Sequence, residues 1–527
     1  DGTIAVLAGD KVLVDSGVVP VTATPSGSGN TKAGQKASLS AGDSEIVVLG
    51  FEPTSVLAGD SWMAQYNMSP GTPGSISYDS ATGVLTVNRT SHGLYSEQEV
   101  FIAVTGRPEW CHYDLPITRV TADQFTVVIS KNLASPPAAS IIYIGNKFST
   151  RAEHPVPWLQ PRRFRVLRNG GVPDETAAQI RARFASLLAL NPTMIDLRAG
   201  INDYAVSTPY RQVFADVLWM CQQAAKKGIS VLLHTIPPHG APDAGRVTWI
   251  TSINPLIATI PSIVPGVVLC DDYAALVDPA TPATAKAKHL LADNLHLSVL
   301  GMWALLPSYQ AAMDKIAKTR SVLPVSPLES YDATLSPNGV FTFGNGLLQT
   351  TTGGTAFAPV TGTVAADLTA SAANMTSCVA SVVPARNGIG NAQRLVGAPS
   401  AAAAYMIVKT VDADTRVVAG QRYQPVCRVR TEGIPANGKV KNIALQMLMT
   451  VGGTSYSQMR NLWVSGSGSD ETYFPQVDID QEIVCEPILV PTAGTTDIRW
   501  QVMIEFNGAS SAEVAMEVSQ IAMNLVP

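Results

Sequence analysis

Charge is what this chain has little of. Only 15% of its 527 residues are Asp, Glu, Lys or Arg, and the formal net charge is -5, so there is no basic field to hold a nucleic-acid backbone. No apolar run reaches the ~18 residues that a membrane-spanning helix requires, which argues against helical insertion into a bilayer. Cysteine is sparse too. Cys111, Cys221, Cys270, Cys378, Cys427 and Cys485 are scattered along the chain with no C-x-x-C pair, a spacing that fits neither a zinc ribbon nor a dense disulfide scaffold and leaves buried free thiols as the expectation. What is plentiful is apolar material, at 46%, enough for several cores, and the length itself suggests three or four domains.

One corner stands out. The apolar run Val56-Leu57-Ala58 stops at Gly59-Asp60-Ser61, and Trp62-Met63-Ala64-Gln65 can continue as a helix. A strand that hands a serine to a helix start exposes the hydroxyl above the carboxyl edge of a parallel sheet. A helix-capping serine is the simpler reading of the tripeptide taken alone. Two later stretches give it partners: Met194–Ala199 leads into Gly200-Ile201-Asn202-Asp203, and a helical region ends before Asp293-Asn294-Leu295-His296.

In that order, Gly-Asp-Ser, Gly-x-Asn-Asp and Asp-x-x-His, the chain resembles the SGNH/GDSL hydrolases over residues 52–65 and 160–316. The resemblance implies ester hydrolysis through an acyl-enzyme, with Ser61 as nucleophile, His296 as base and Asp293 as the group that orients the histidine. It implies an oxyanion hole built from the Ser61 N–H, the Asn202 amide and an N–H from the loop that follows Asn169. There the chain departs from the pattern: aligned from Asn169, the usual glycine falls on Asp174, while Gly171 fills the role after a local shift, and both readings stand. Trp62, Tyr66 and His239 are the expected substrate contacts, with Trp110 and Trp158 as further aromatic platforms. His234 and His239 also read as satisfied loop histidines. The chemistry needs no metal and no cofactor, and the spacing of His234, His239, Asp271 and Asp272 fits no common metal site.

Around the motifs, strand and helix patterns alternate. Phe164–Leu167, Ile229–Leu233 and Val267–Cys270 read as strands, and Ala177, Ile180, Phe184, Leu187 and Leu188, then Val213, Val217, Met220 and Ala224, fall at helical spacing. This predicts an α/β fold with a parallel five-stranded, flavodoxin-like sheet. The last helix follows His296, with Leu300, Ala304 and Leu305 expected to face inward.

Four divisions follow. Residues 1–45 form a short β segment and a Gly/Ser-rich linker; 46–65 and 155–322 form the hydrolase domain; 66–154 form an inserted small β module; and 323–527 form a β-sandwich of jelly-roll type, carbohydrate-binding-like or trimerising. In the insertion His92 is expected to close a turn. Its pattern from Thr90 to Val127 resembles small β modules of bacteriophage tail and fibre proteins, and Val417–Tyr423 is similar to carbohydrate-binding sandwiches. Trp463, Tyr473 and Phe474 are candidates for sugar stacking or core packing. Together these resemblances imply a tailspike esterase that removes O-acetyl groups from a bacterial surface polysaccharide. Its expected partners are that polysaccharide, two further copies in a homotrimer and other phage tail proteins, and its expected location is the virion tail. A non-catalytic receptor-binding fibre, a lipase or esterase of another class, and a secreted bacterial enzyme are the alternatives. If the insertion serves only polymer recognition, excising residues 68–152 would spare small-ester hydrolysis.

Overall fold

The computed structural model describes residues 53–64, 73–146, 154–159, 164–317, 346–410, 418–461, 474–492 and 495–526, single positions excepted, together with four short strands before residue 40. The 1–45 linker reading, Tyr66, Trp463 and Tyr473 lie outside the described residues.

At the centre is a sheet of five parallel strands: β1 (Thr54–Gly59), β2 (Arg165–Gly171), β3 (Met194–Arg198), β4 (Ser230–His234) and β5 (Val267–Cys270), in the order β2-β1-β3-β4-β5. Their side chains are buried on both faces, which explains why the sequence reads as apolar runs instead of alternation. Val56 and Ala58 point to one face, where α1 (Ala177–Leu188), α2 (Tyr210–Lys226) and α3 (Ala244–Ile257) pack with Ile180, Phe184, Val217, Met220 and Ile253. Leu57 points to the other, against α4 (Val299–Met313) through Leu305, Tyr309 and Met313. The buried stripe of α4 is Val299, Met302, Leu305, Tyr309 and Ala312; the expected Leu300 and Ala304 are only partly buried, because the helix is rotated to bring Tyr309 onto the sheet. The chain reverses direction of travel between β1 and β3, so the crevice above these two strands is where an open α/β sheet takes a ligand.

Strand β2 runs further than expected. Asn169, Gly170 and Gly171 are paired with Leu57, Ala58 and Gly59, so the segment read as loop is the strand's carboxyl end.

The insertion between β1 and β2 is a six-stranded antiparallel sheet, in the order Ile142–Asn146, Glu99–Val104, His112–Arg119, Gln124–Val128, Val84–Asn88, Ser75–Asp79. Leu85, Val87, Ile102, Trp110, Phe125 and Ile144 fill its core. His92 closes a turn, Nδ1 accepting from Leu94 N–H at 3.0 Å. Beyond α4 come a six-stranded and a seven-stranded, mostly antiparallel sheet, whose apolar residues, Met406 and Val502 from one and Leu395 and Met516 from the other, share one core. The long strands Val440–Val451, Thr495–Phe506 and Val514–Val526 extend past the runs recognisable in the sequence. This part touches both others: Glu99 pairs with Arg422 at 2.5 Å, and Trp158 packs edge-on against Trp303 of α4 and close to Phe474.

Candidate active site

The corner is built by close backbone approach. Gly59 ends β1 beside Arg198 of β3, and a Cβ on Gly59 would lie 2.4 Å from the Arg198 carbonyl oxygen, so only glycine lets the two strand ends pair there. Asp60 then turns inward, fully buried, and its Oδ1 accepts the Trp62 N–H at 3.0 Å while Met63 N–H donates to the Asp60 carbonyl at 3.1 Å. These bonds start the short helix Ser61–Ala64 and leave Ser61 at the sheet edge, 7% exposed. Burial pushes the Asp60 carboxyl up to about 7, against the Trp62 N–H and the charges of His296 and Arg198.

Opposite it, Asp293 Oδ1 accepts the N–H groups of Leu295 and His296, each at 2.9 Å. Asp293 Oδ2 lies 2.8 Å from His296 Nδ1, and His296 Nε2 lies 2.9 Å from Ser61 Oγ. The loop is fastened by Gly240 N–H to the Asn294 carbonyl at 2.8 Å and by Leu291 N–H to the His296 carbonyl at 2.7 Å. Burial raises the Asp293 carboxyl, but the His296 ring and the two backbone donors outweigh it and hold it at about 2. The carboxylate is therefore ionised at neutral pH and fixes the proton of His296 on Nδ1, which leaves Nε2 free to accept from a hydroxyl.

The oxyanion candidates separate. Gly171 N–H donates to Asn169 Oδ1 at 3.1 Å, and Asn169 Nδ2 donates to the Met63 carbonyl at 2.7 Å, so the Gly171 donor is committed to fixing β2 against the nucleophile's helix. Of the two alternatives for this donor, the Gly171 contact favours Asp174. Asp174 has φ +60, the left-handed region that favours glycine and that Asp tolerates. The backbone thus keeps the form of the usual glycine, and the carboxylate is drawn off by the Tyr143 hydroxyl at 2.9 Å. Asn202 Nδ2 donates to the Glu175 carbonyl at 3.0 Å, which leaves one amide N–H uncommitted. Gly200, at φ +115, puts Asn202 there; a Cβ would sit 2.9 Å from both Ile236 and Val213. Behind the loop Arg183 Nε pairs with Glu175 at 2.7 Å, Nη2 donates to the Gly59 carbonyl at 3.0 Å and Nη1 to the Tyr113 hydroxyl at 3.2 Å.

Beneath the site lies a buried ionic cluster; sequence reading weighed its His234 and Asp272 but passed over Asp196 and Arg198. Asp196 and Arg198 interrupt an otherwise apolar strand, and that interruption is the signal that could have found it. Asp196 Oδ2 accepts the Tyr309 hydroxyl at 2.8 Å, His234 stands between Asp196 and Asp272, and Arg198 Nη2 is 3.3 Å from Asp272 Oδ2. His234 therefore belongs to the interior and not to the substrate surface. His234, Cys270 and Asp272 have the spacing of metal ligands among the described residues, but both His234 nitrogens face carboxylates and the Arg198 cation occupies the same space. Burial and Arg198 oppose charge on His234, yet Asp272 and Asp196 raise its pKa. Burial likewise opposes charge on Asp196, and His234 prevails to bring it to about 2. Two basic side chains, His234 and Arg198, thus stand against two carboxylates, Asp196 and Asp272, within the same buried cluster.

The expected aromatic platforms are not at the surface. Trp62 is 2% exposed with the Arg198 guanidinium over its ring at 5.4 Å, and Trp110 and Trp158 are fully covered. Their large apolar area gains more from core packing than from solvent, and Trp62 presents only an edge to the hollow at the corner. His239 is half-exposed and does lie at the site, its N–H bonded to the Ala283 carbonyl next to the Asn294 contact. Two contiguous hollows run from the corner. One, of about 240 Å³ with its mouth, is lined by Asp60, Trp62, Ala199 and Thr235; the next, of about 220 Å³, by Tyr204, His239, Arg246 and Trp249; Ile201, Ile236 and Pro237 line both. Tyr204, Arg246 and Trp249 were not singled out in the sequence, because nothing there ties a helix α3 face to the catalytic loop.

No family model and no curated protein sequence matches the chain. Among solved structures it is similar to a GDSL-like lipase from Bacteroides thetaiotaomicron VPI-5482 (21% identity, 28% of this chain and 74% of that one, TM-score 0.25). It is also similar to the psychrotrophic esterase EstA from Pseudoalteromonas sp. (16%, 31% and 87%, TM-score 0.25) and to Axe2, an acetylxylan esterase from Geobacillus stearothermophilus (15%, 51% and 97%, TM-score 0.28). Likeness at this level says nothing about substrate.

Proposed function

We propose that this chain is a serine ester hydrolase that removes O-acetyl groups from a bacterial surface polysaccharide. The observation that carries the reaction class is the unbroken chain Ser61 Oγ, His296 Nε2, His296 Nδ1, Asp293 Oδ2, with links of 2.9 and 2.8 Å, at the carboxyl ends of the parallel strands.

In this reading Ser61 Oγ attacks the ester carbonyl as its proton passes to His296 Nε2, and Asp293 offsets the charge on the ring. The Ser61 N–H and the remaining Asn202 amide N–H hold the oxyanion, each such donor contributing about 3 kcal/mol. Collapse of the tetrahedral intermediate releases the sugar hydroxyl, which takes the proton back from His296, and leaves Ser61 acylated. Water activated by His296 then releases acetate and restores the serine.

The glycan, the tailspike setting, the homotrimer, the virion tail location and a jelly-roll, sugar-binding role for the C-terminal sheets are parts of the same proposal and rest on the sequence resemblances. The Tyr143 hydroxyl, 2.9 Å from Asp174 Oδ2, supports the catalytic reading over that of a non-catalytic fibre, since it draws the carboxylate away from the oxyanion. Acetate release from O-acetylated polysaccharide, with 4-nitrophenyl acetate alongside, is the test. Turnover of neither by the wild type, in protein shown to be folded, overturns the hydrolase reading; turnover of the small ester alone overturns the glycan.

A further inference from the structure

A groove that starts at Asp60 and Trp62, the neighbours of Ser61, ends on a cation. Ile201, Ile236 and Pro237 line both hollows, so one continuous surface joins the nucleophile's corner to Tyr204, Arg246 and Trp249. Tyr204 is held in place: its hydroxyl donates to Asp243 Oδ1 at 2.5 Å, and its ring meets that of Trp249 edge-on at 6.1 Å. Trp249 is fixed in turn by Nε1 to the Thr208 carbonyl at 3.1 Å. Over the Tyr204 ring, 4.7 Å from its centroid, lies the Arg246 guanidinium.

The other charges of the groove are answered from within the chain. Asp293 faces His296, and Arg198 faces Asp272. Asp243 receives the Tyr204 hydroxyl and the backbone N–H of Arg246 at the start of α3, where the helix end itself favours an anion. His239 is kept below its usual value by burial and by Arg246, so it is neutral at pH 7. Arg246 makes no salt bridge and no side-chain hydrogen bond among the described residues; the Asp243 carboxylate attracts it only at longer range. A guanidinium carries five N–H donors in a planar fork that matches a carboxylate.

We infer that the groove recognises an acidic glycan, with Arg246 taking the carboxylate of a sugar unit near the one that is deacetylated. This rests on the hydrolase reading above and adds the substrate class to it. Neutral glycans would leave the guanidinium without its matching partner, and esters without a sugar would not reach it.

The test uses the full chain on O-acetylated polygalacturonate and on the same polymer after chemical reduction of its carboxyls, with 4-nitrophenyl acetate as the small ester. The wild type is expected to show at least a ten-fold higher kcat/KM on the acidic polymer, chiefly through KM. Arg246→Ala is expected to lower kcat/KM on that polymer at least ten-fold more than on the small ester, as loss of a charge-assisted contact implies, and Arg246→Lys to recover part of the preference. Equal rates of the wild type on the two polymers, or a preference undiminished in Arg246→Ala, overturn the inference. Calorimetric binding of deacetylated oligogalacturonate to Ser61→Ala reads the groove without turnover. Binding that Arg246→Ala removes supports it even if hydrolysis is absent, and no binding to the folded Ser61→Ala protein counts against it whatever the esterase result.

Discussion

His234 stands between two carboxylates, with Nδ1 2.7 Å from Asp272 Oδ1 and Nε2 2.8 Å from Asp196 Oδ1. Burial and Arg198 oppose charge on the ring, but Asp272 and Asp196 raise its pKa, which favours the ring with both nitrogens protonated over one that gives a lone pair to a metal. Dialysis against excess chelator is therefore expected to leave small-ester turnover and thermal midpoint unchanged. Loss of activity that zinc or manganese restores would make His234, Cys270 and Asp272 ligands after all.

Truncation of the catalytic chain should separate roles from packing. Ser61→Ala and His296→Ala are expected to lower kcat on 4-nitrophenyl acetate by roughly 10⁴-fold or more, and Asp293→Ala by one or two orders less, since it orients and does not transfer the proton. Circular dichroism should show folded protein in each case. Residual turnover in Ser61→Ala above a tenth of the wild type would remove the nucleophile assignment.

Stability should fall at both ends of the pH scale, for opposite reasons. Asp60 is raised to about 7 by burial, above the ~3.9 of an unfolded aspartate, so its contribution is complete below about pH 4 and is lost as pH rises through 7. Asp293 is held at about 2, so its contribution is present above about pH 4 and is lost as pH falls towards 2. Thermal midpoints at constant ionic strength should decline from pH 5 to 8, and Asp60→Asn should flatten that decline. A wild-type midpoint that climbs over this interval contradicts the assignment.

Arg183 ties three parts of the chain together while buried against Glu175. Arg183→Ala leaves the Glu175 carboxylate without its partner, and a loss of about 3–5 kcal/mol in urea unfolding is expected. Arg183→Lys should recover less than half, because one ammonium cannot replace three directed contacts. A change below 1 kcal/mol in the alanine variant would show that water reaches the pair.

The insertion is not detachable in the way its sequence suggested. Phe101 and Ala103 cover Val172, which is fully buried, and Tyr113 stacks under Arg168 at 4.4 Å. Replacing residues 68–152 by a Gly/Ser linker strips this cover from the loop that carries Asp174 and Glu175. The expected outcome is a strong loss of small-ester turnover as well as polymer turnover, with a lowered thermal midpoint. Wild-type turnover of 4-nitrophenyl acetate by the excised protein would restore the simpler picture.

The parallel sheet could be read in advance because Val, Ile and Leu runs ending in Gly-Asp-Ser and Gly-x-Asn-Asp leave few other arrangements, and those runs lie in β1, β3, β4 and β5. The aromatic platforms could not: Trp62, Tyr204 and Trp249 look alike as letters, and which is buried depends on where Arg198 and Arg246 place their guanidinium groups. The Gly171 donor was lost to Asn169 for a similar reason, since one turn of backbone decides whether an N–H faces substrate or a neighbour. Strands such as His112–Arg119 and Ser75–Asp79 were missed because proline and serine dilute their apolar alternation.

Strand β1 pairs along its whole length with β2, yet Gly59 and Gly171 are about 110 residues apart in the chain, so joining them early would carry a large loop-closure entropy. The antiparallel insertion is rich in short hairpins and, once formed, shortens that loop to the distance between its two ends. A chain whose insertion is slow to form, through a core substitution such as Phe125→Ala, should therefore refold into active enzyme more slowly than its loss of equilibrium stability accounts for. The module that leaves the chain just after the nucleophile would then set how soon the nucleophile's own strand finds its neighbour.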